Sequence, residues 1–279
     1  MPEASVAVII GVGGMGRAIA RRIGSGRTVL LADHDQDTLR ESVAALTVEG
    51  HQVMARQVDV SSPESVAELA RHAAACGSVT HVAHTAGLSP SQAGTEAILA
   101  VDLLGVALVL DEFGKIIAPG GAGVVIASMA GHMFPGLPAD QERALAHTPA
   151  SELLQLPFVN PEQLTEPALA YGIAKQANHI RVRAASASWG ERGARINAIS
   201  PGIISTPMGH TELNSPLGAP MRAMIDASPA RRIGTPDDIA AAAAFLLGPE
   251  GAFITGTDLL VDGGVTAAMR SISLAGSEN

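Results

Sequence analysis

The chain has 279 residues, of which 47% are hydrophobic, and its 18 Lys and Arg against 27 Asp and Glu give a net charge of −9. This length suits one large domain with a sizeable core, and the acidic balance disfavours binding to nucleic acid or to an anionic membrane. The single cysteine, Cys76, excludes a disulfide within the chain. We therefore expect a cytoplasmic protein with no nucleic-acid or membrane partner, in which Arg181 and Arg183 belong to solvated faces.

Short runs rich in β-branched residues alternate with longer stretches of helical spacing. The predicted strands are residues 4–10, 28–32, 52–58, 79–84, 123–127, 195–199 and 258–261. The predicted helices are residues 15–24, 36–48, 63–75, 95–118, 168–190 and 236–247. Such alternation, with nearly unbroken apolar strands, predicts an α/β fold. We expect a single doubly wound domain over residues 1–279, with a seven-stranded parallel sheet and helices on both faces.

Residues 132–167 interrupt this alternation. The stretch contains six prolines and two short amphipathic pieces, at 139–147 and 150–156. A connection this long in a compact domain is usually functional or disordered, and its Met, Phe and Leu content argues against disorder. We predict a small helical insertion near the substrate site, with Phe134, Leu137 and Phe158 shaping the pocket.

Three glycines directly follow the first predicted strand. Gly11, Gly13 and Gly16 satisfy the pattern G-x-G-x-x-G, which allows a tight turn and a close approach of the backbone to a pyrophosphate. Asp33 ends the second strand, where a carboxylate accepts the hydroxyls of an adenosine ribose and repels a 2′-phosphate. The sequence therefore favours NAD over NADP. The alternatives are an ordinary strand–helix turn and a helix-capping role for Asp33.

The only tyrosine, Tyr171, lies four residues before Lys175, so the two side chains share one helix face. A nearby ammonium favours tyrosinate, so we expect the Tyr171 pKa to fall and the phenol to exchange a proton with a substrate. Ser128 follows the fifth strand at its carboxyl end, where open α/β sheets bind ligands. The alternative for Tyr171 and Lys175 is an exposed helix pair without chemistry.

Together these motifs resemble those of the short-chain dehydrogenase/reductase family over essentially the whole chain. Further matches are "DV" at 59–60, "TAG" at 85–87, "SPGIISTPM" at 200–208 and "DGG" at 262–264. The resemblance implies a Rossmann fold, hydride transfer between a small-molecule alcohol or ketone and a nicotinamide cofactor, and a homodimer or homotetramer.

The resemblance also implies roles for individual residues. Tyr171 would be the general acid/base, Lys175 would lower its pKa and bind the nicotinamide ribose, and Ser128 would hold the substrate oxygen. The other cofactor contacts implied are Gly14, Met15 and Gly16 in the glycine turn, Asp59 and Val60 at the adenine, Ala86 and Gly87 near the ribose, and Ile204 and Thr206 at the carboxamide.

The sequence departs from the family at two positions. Ile10 replaces the first glycine of the turn, and Asp102 replaces the asparagine that helps to hold a water beside the active-site lysine. We assign Asp102 to the catalytic group nevertheless. The rival interpretation, a catalytically weak dinucleotide-binding regulatory protein, rests on these two departures.

The insertion and the residues around 188–208 look most like the bacterial 3α-hydroxysteroid dehydrogenase/carbonyl reductase branch. We therefore expect an NAD(H)-dependent enzyme that interconverts an apolar, cyclic secondary alcohol and its ketone. The nine histidines are dispersed, so no metal site is predicted. Four apolar residues are assigned either to the substrate pocket or to a helix-face core: Met208, Leu213, Leu217 and Met221.

Overall fold

The structure, a computed structural model, describes residues 4–276. It contains seven strands: β1 (Ser5–Ile10), β2 (Thr28–Asp33), β3 (Gln52–Gln57), β4 (Ser78–His84), β5 (Ala122–Ile126), β6 (Arg195–Pro201) and β7 (Asp258–Val261). They form one sheet in the order β3-β2-β1-β4-β5-β6-β7, and every neighbouring pair is parallel. The doubly wound Rossmann-type sheet predicted from the sequence is confirmed. The ends of the predicted domain, residues 1–3 and 277–279, lie outside the described residues.

Helices connect the strands. The α-helices are α1 (Gly14–Ile23), α2 (Gln36–Val48), α3 (Pro63–Cys76), α4 (Thr95–Ile98), α5 (Gly105–Gly114), α6 (Ala130–Met133), α7 (Ala139–His147), α8 (Pro167–Glu191), α9 (Pro207–Leu213), α10 (Gly218–Ala227), α11 (Pro236–Leu247) and α12 (Val265–Gly276). A π-helical turn, Leu99–Leu104, joins α4 to α5, and three short 3₁₀ segments cover Ala150–Gln155, Pro157–Val159 and Pro249–Gly251. Among residues 4–276, no helix combines the length and apolar character needed to cross a membrane.

Each face of the sheet has its own apolar core. Helices α3, α5 and α8 pack over one face, where Leu69, Phe113 and Trp189 are fully buried. Helices α1, α2 and α11 cover the other, where Ile19 and Leu46 are fully buried. A sheet enclosed on both sides explains why its central strands are apolar at successive positions.

The helix predicted over residues 95–118 differs from the observed segment. The observed segment ends at Gly114, and its residues Leu99–Leu104 form a π turn. The Gly105 amide donates to the carbonyl of Ala100, five residues back, which is the π pattern. Asp102 lies within this π turn.

The insertion contains the two predicted helical pieces, α7 and the 3₁₀ segment Ala150–Gln155. It packs through Leu145 and Leu153, both fully buried, onto the core beside α8. The prediction that Arg181 lies on a solvated face is wrong. Its side chain is buried, and Nη1 donates to the carbonyls of Leu145 (2.9 Å) and Thr148 (3.1 Å). The reason is that α7 ends against α8, and its unpaired carbonyls need a donor.

Candidate active site

The glycine turn lies between β1 and α1. Gly11 has a φ of +90°, and a Cβ there would lie 2.7 Å from the Ala86 Cα, so only glycine fits this crossing. A Cβ at Gly16 would collide with the carbonyl oxygen of Gly11. Gly13 has open space around it, and it caps α1, whose first amides are left without intrahelical acceptors. These features provide a cradle for a phosphate at a helix amino terminus.

Asp33 closes this turn from the end of β2. Its Oδ2 accepts from the Val12 amide at 2.7 Å, and its Oδ1 accepts from the Asp35 amide at 3.0 Å. Helix α2 is capped by Asp35, not by Asp33, so the capping alternative for Asp33 is wrong. Each Asp33 oxygen retains a further lone pair for a ribose hydroxyl.

A cavity of about 410 Å³ adjoins Asp33. Its lining includes Gly11, Asp33, Asp59, Val60, Ala86 and Gly87, six of the positions predicted to contact a dinucleotide. The Asp59 Oδ1 accepts from the amide and hydroxyl of Ser61, at 2.9 and 2.6 Å. The structure therefore brings six predicted cofactor contacts around one space, and the residues present fit a dinucleotide.

Ser128 and Tyr171 line a second cavity, of about 330 Å³, beyond the carboxyl ends of β5 and β6. Met15, Ile204 and Thr206 line it too, so the glycine turn and the segment after β6 meet at its base. Its remaining wall is largely apolar and includes Met129, Met133, Phe134, Met208, Met221 and Met224. The Ser128 Oγ accepts from the Ala130 amide at 3.1 Å, which leaves its proton for a ligand or for the phenol.

The insertion contributes part of this wall. Met133 and Phe134 line the cavity, whereas Leu137 and Phe158 pack against the core. The Phe134 ring rests on α8 at Gly172, where a Cβ would lie 2.8 Å from Cζ. Four apolar residues were assigned from the sequence either to the substrate pocket or to a helix-face core. Met208, Leu217 and Met221 line the cavity, and Leu213 does not.

Lys175 is paired with Asp102. Its Nζ lies 3.1 Å from Asp102 Oδ2, and the two side chains are 4% and 0% exposed. The Leu88 amide donates to Asp102 Oδ1 at 2.8 Å. Burial raises the pKa of Asp102 although Lys175 opposes it. Burial works to lower the pKa of Lys175, but Asp102 and Tyr171 outweigh it and raise that pKa.

The expected fall in the Tyr171 pKa is not what the structure gives. Burial raises the pKa of the phenol, and the Asp102 carboxylate adds to the increase. Lys175, whose Nζ lies 5.2 Å from the ring centroid, and the Ser128 hydroxyl both act to lower it. The expectation rested on the Lys175 ammonium and did not include the burial of the phenol, which is the largest cause of the raised pKa.

Asn178 holds the π turn in place. In the amide orientation that satisfies both acceptors, its nitrogen donates to the carbonyls of Ala174 (3.0 Å) and Asp102 (2.9 Å). A π turn frees a backbone carbonyl from its usual partner, and a buried carbonyl requires a donor. Asn178 therefore ties the backbone of Asp102 to the helix that carries Lys175, a contact that the sequence did not reveal.

A polar cluster joins the segment after Ser128 to α8 and β7. His132 Nε2 lies 2.7 Å from Asp258 Oδ2, and His179 Nε2 lies 2.9 Å from Ser200 Oγ. The Ser200 hydroxyl donates to Asp258 Oδ1 at 2.9 Å. Two of the nine histidines thus come together, and ligand atoms of His132, His179 and Asp258 lie within 4.8 Å of one another. Two ligand atoms of one tetrahedral zinc lie about 3.3 Å apart. The 2.7 Å between His132 Nε2 and Asp258 Oδ2 is shorter and fits a hydrogen bond.

This geometry defines an α/β protein with a glycine-rich turn beside an apolar cavity lined by Ser128 and Tyr171, and with the buried Lys175 one helical turn from Tyr171 on α8. A family profile described as Enoyl-(Acyl carrier protein) reductase matches residues 11–141 and 139–266. The short-chain dehydrogenase/reductase bsc3 of Alternaria brassicicola is 44% identical over 264 residues, covering 94% of this chain and 96% of that protein.

Two further comparisons point to the same family of proteins. The 3-alpha-hydroxysteroid dehydrogenase/carbonyl reductase of Comamonas testosteroni is 32% identical over 190 residues, 66% of this chain and 72% of that protein. A solved short-chain dehydrogenase/reductase of Serratia marcescens has the same fold, with a TM-score of 0.73 at 22% identity over 94% of this chain and 98% of that one. The chain belongs to the short-chain dehydrogenase/reductase family, oxidoreductases that use nicotinamide dinucleotide cofactors.

Proposed function

We propose that the protein is an NAD(H)-dependent dehydrogenase that interconverts an apolar, cyclic secondary alcohol and its ketone. The observation that carries the proposal is the position of Ser128 and Tyr171 on the wall of an apolar cavity, with Lys175 one helical turn beyond the phenol. The likeness to a hydroxysteroid dehydrogenase/carbonyl reductase supports a cyclic substrate.

The cofactor would bind along the residues already described. Its pyrophosphate would lie at Gly13, Gly14 and the amino terminus of α1, and its ribose hydroxyls at Asp33. A 2′-phosphate would face the Asp33 carboxylate with no arginine beside it, which favours NAD. The adenine would meet Asp59 and Val60.

The nicotinamide end would lie nearer the second cavity. Ala86 and Gly87 would meet the ribose, Ile204 and Thr206 the carboxamide, and Lys175 the ribose hydroxyls. A Cβ at Gly87 would lie 3.4 Å from Lys175 Nζ, so glycine there keeps this approach open. Met15 borders the same cavity.

Bound nicotinamide supplies the hydride acceptor in oxidation and the hydride donor in reduction. The Ser128 hydroxyl donates to the substrate oxygen and orients it. In oxidation, Tyr171 as tyrosinate accepts the proton of the alcohol; in reduction, the phenol returns a proton to the carbonyl oxygen. Lys175 favours the tyrosinate by its charge, and the apolar wall excludes water from the reacting centre.

The test is NAD⁺-linked oxidation of a panel of alicyclic, terpenoid and steroid alcohols by the wild type and by Tyr171→Phe. Turnover of at least one alcohol by the wild type, lost in the variant, supports the proposal. The buried pair of Asp102 and Lys175 favours one second candidate, a dinucleotide-binding regulatory protein. NAD⁺ binding without turnover of any alcohol would select that candidate.

A further inference from the structure

One carboxyl group interrupts the apolar wall of the substrate cavity. Glu212 projects from α9, and among the described residues that line the cavity it is the only Asp, Glu, Lys or Arg. The other polar side chains are Ser128 and Tyr171, at the proposed reacting end, and Thr206. Thr206 already caps α9 by accepting from the Gly209 amide at 3.1 Å. Glu212 is therefore the polar group with no assigned role.

The surroundings of Glu212 provide few polar partners. Burial raises the pKa of the carboxyl, and the Ser89 hydroxyl lowers it less strongly. The Ser89 side chain is itself 1% exposed, and its Oγ makes no well-formed hydrogen bond among residues 4–276. Glu212 therefore presents a half-buried carboxyl, with the buried Ser89 hydroxyl beside it, in an otherwise apolar wall.

Glu212 also lies close enough to the proposed reacting phenol to affect it. The Tyr171 pKa is raised first by burial, and the Glu212 carboxylate contributes to the increase. Both side chains border the same cavity. A ligand that is held by Ser128 and Tyr171 and is long enough to fill the cavity would lie against α9 and cover Glu212.

The affinity of such a ligand depends on whether it places an apolar group or a hydroxyl against Glu212. A purely apolar molecule would remove water from the carboxyl without replacing its hydrogen bonds, which is unfavourable. A molecule with a hydroxyl at that place would donate to Glu212 and restore the lost bond. The contrast is large because a polar site left unpaired by a ligand discriminates strongly against it.

We propose that Glu212 is a specificity-determining residue that binds a second hydroxyl group of the substrate. The inference rests on the proposed function and narrows it. The substrate is a bifunctional alicyclic molecule, a diol or its hydroxyketone, with one carbinol at Tyr171 and the other at Glu212. The second hydroxyl does not react; it fixes which carbinol reaches the phenol.

The experiment compares matched alicyclic mono-alcohols and diols on the same ring system, with NAD⁺, in the wild type, Glu212→Gln and Glu212→Leu. Glu152→Gln, on an exposed part of the insertion, is the control. We expect the wild type to favour a diol by about 10- to 100-fold in kcat/KM, mostly through KM, because the contact is remote from the reacting carbon. Glu212→Leu should remove this preference, and Glu212→Gln, which keeps an acceptor, should retain part of it.

Several outcomes overturn the inference. Equal diol preference in the wild type and Glu212→Leu would remove Glu212 from substrate recognition. A preference for an amino alcohol over both alcohol classes, lost in Glu212→Gln, would replace the diol by an ammonium ligand.

Calorimetric binding of the same compounds in the presence of NAD⁺ separates this inference from the proposed function. Diol binding that depends on Glu212 but is not followed by turnover would contradict the proposed dehydrogenase activity and support hydroxyl binding by Glu212. If neither mono-alcohols nor diols bind, the proposal that Glu212 binds a substrate hydroxyl would be overturned as well.

Discussion

The ammonium of Lys175 lies 3.1 Å from the Asp102 carboxylate at a place where both side chains are shielded from water. The carboxylate therefore competes with the phenol of Tyr171 for the same positive charge. Burial is the main cause of the raised Tyr171 pKa, and the charge at position 102 adds to it, so Asp102 shifts the pH range in which the phenol can accept a proton.

The first prediction concerns Asp102→Asn. The amide keeps an acceptor for the Leu88 amide but removes the negative charge that raises the Tyr171 pKa. Oxidation needs tyrosinate, so its rate rises with pH through the Tyr171 pKa, and this rising limb should move to lower pH in the variant while activity persists. Profiles of kcat against pH for both proteins provide the measurement. Superimposable profiles would show that the charge of Asp102 has no effect on the phenol.

Tyr171 can be followed directly because the chain has no other tyrosine. In the protein alone, ultraviolet difference spectra should show tyrosinate only above the ordinary tyrosine pKa of about 10, because burial raises the Tyr171 pKa. Addition of NAD⁺ should lower the titration through the nicotinium charge. Tyr171→Phe should abolish the signal and nearly all turnover but leave NAD⁺ binding intact. Near-normal turnover in that variant would mean that the phenol only fills space.

Cofactor choice should depend on Asp33. Combining Asp33→Ala with His34→Arg removes the carboxylate and adds a cation, and should raise the ratio of NADP to NAD kcat/KM by about 10- to 100-fold. Asp33 also accepts from the amides of Val12 and Asp35, so Asp33→Asn is the control that keeps an acceptor without the charge. Equal affinity of the unaltered protein for NAD and NADP would refute this role.

The wall of the cavity offers a matched pair of phenylalanines. Phe134 lines the cavity, whereas Phe158 packs on the core from the same insertion. Phe134→Ala should raise the KM for the alcohol about 10-fold or more with little change in the KM for NAD, because Phe134 lines the substrate cavity and not the cavity beside Asp33. Phe158→Ala should lower the thermal midpoint and leave both Michaelis constants unchanged. The opposite pattern would place the substrate elsewhere.

Acid stability should depend on His84. Burial, with a smaller effect of Lys175, lowers its pKa from 6.5 to about 3, and neither ring nitrogen has a hydrogen-bond partner within residues 4–276. The unfolded chain therefore binds a proton below pH 6.5 that the folded chain rejects, so stability present above that pH is lost as pH falls toward 3. The loss is about 1.4 kcal/mol per pH unit for one such group.

Urea unfolding at several pH values measures this slope. His84→Leu should flatten it between pH 6.5 and 4.5, and the exposed His147→Leu should not. An equally steep slope in His84→Leu would assign the acid sensitivity to other groups.

Features carried by local pattern could be predicted from the sequence. The apolar runs predicted the strands, and the glycines after β1 predicted the turn at Gly11, because each leaves a pattern within a few neighbouring residues. The π turn could not be predicted, since its apolar spacing also suits an α-helix. Contacts between distant segments, such as Arg181 with the end of α7, were missed for a different reason. They depend on which helices meet, and a polar residue with a buried partner resembles a solvated one in the sequence.

Glycine at position 172, directly after the proposed acid/base, allows one wall of the substrate cavity to pack closely on α8. The Phe134 ring contacts the helix where Gly172 has no Cβ to hold it away. A methyl group there would force the ring to tilt, and the insertion attached to it would have to follow. Because Phe134 lines the cavity, a change at this one position would alter the shape of the ligand space without any change in its polar groups.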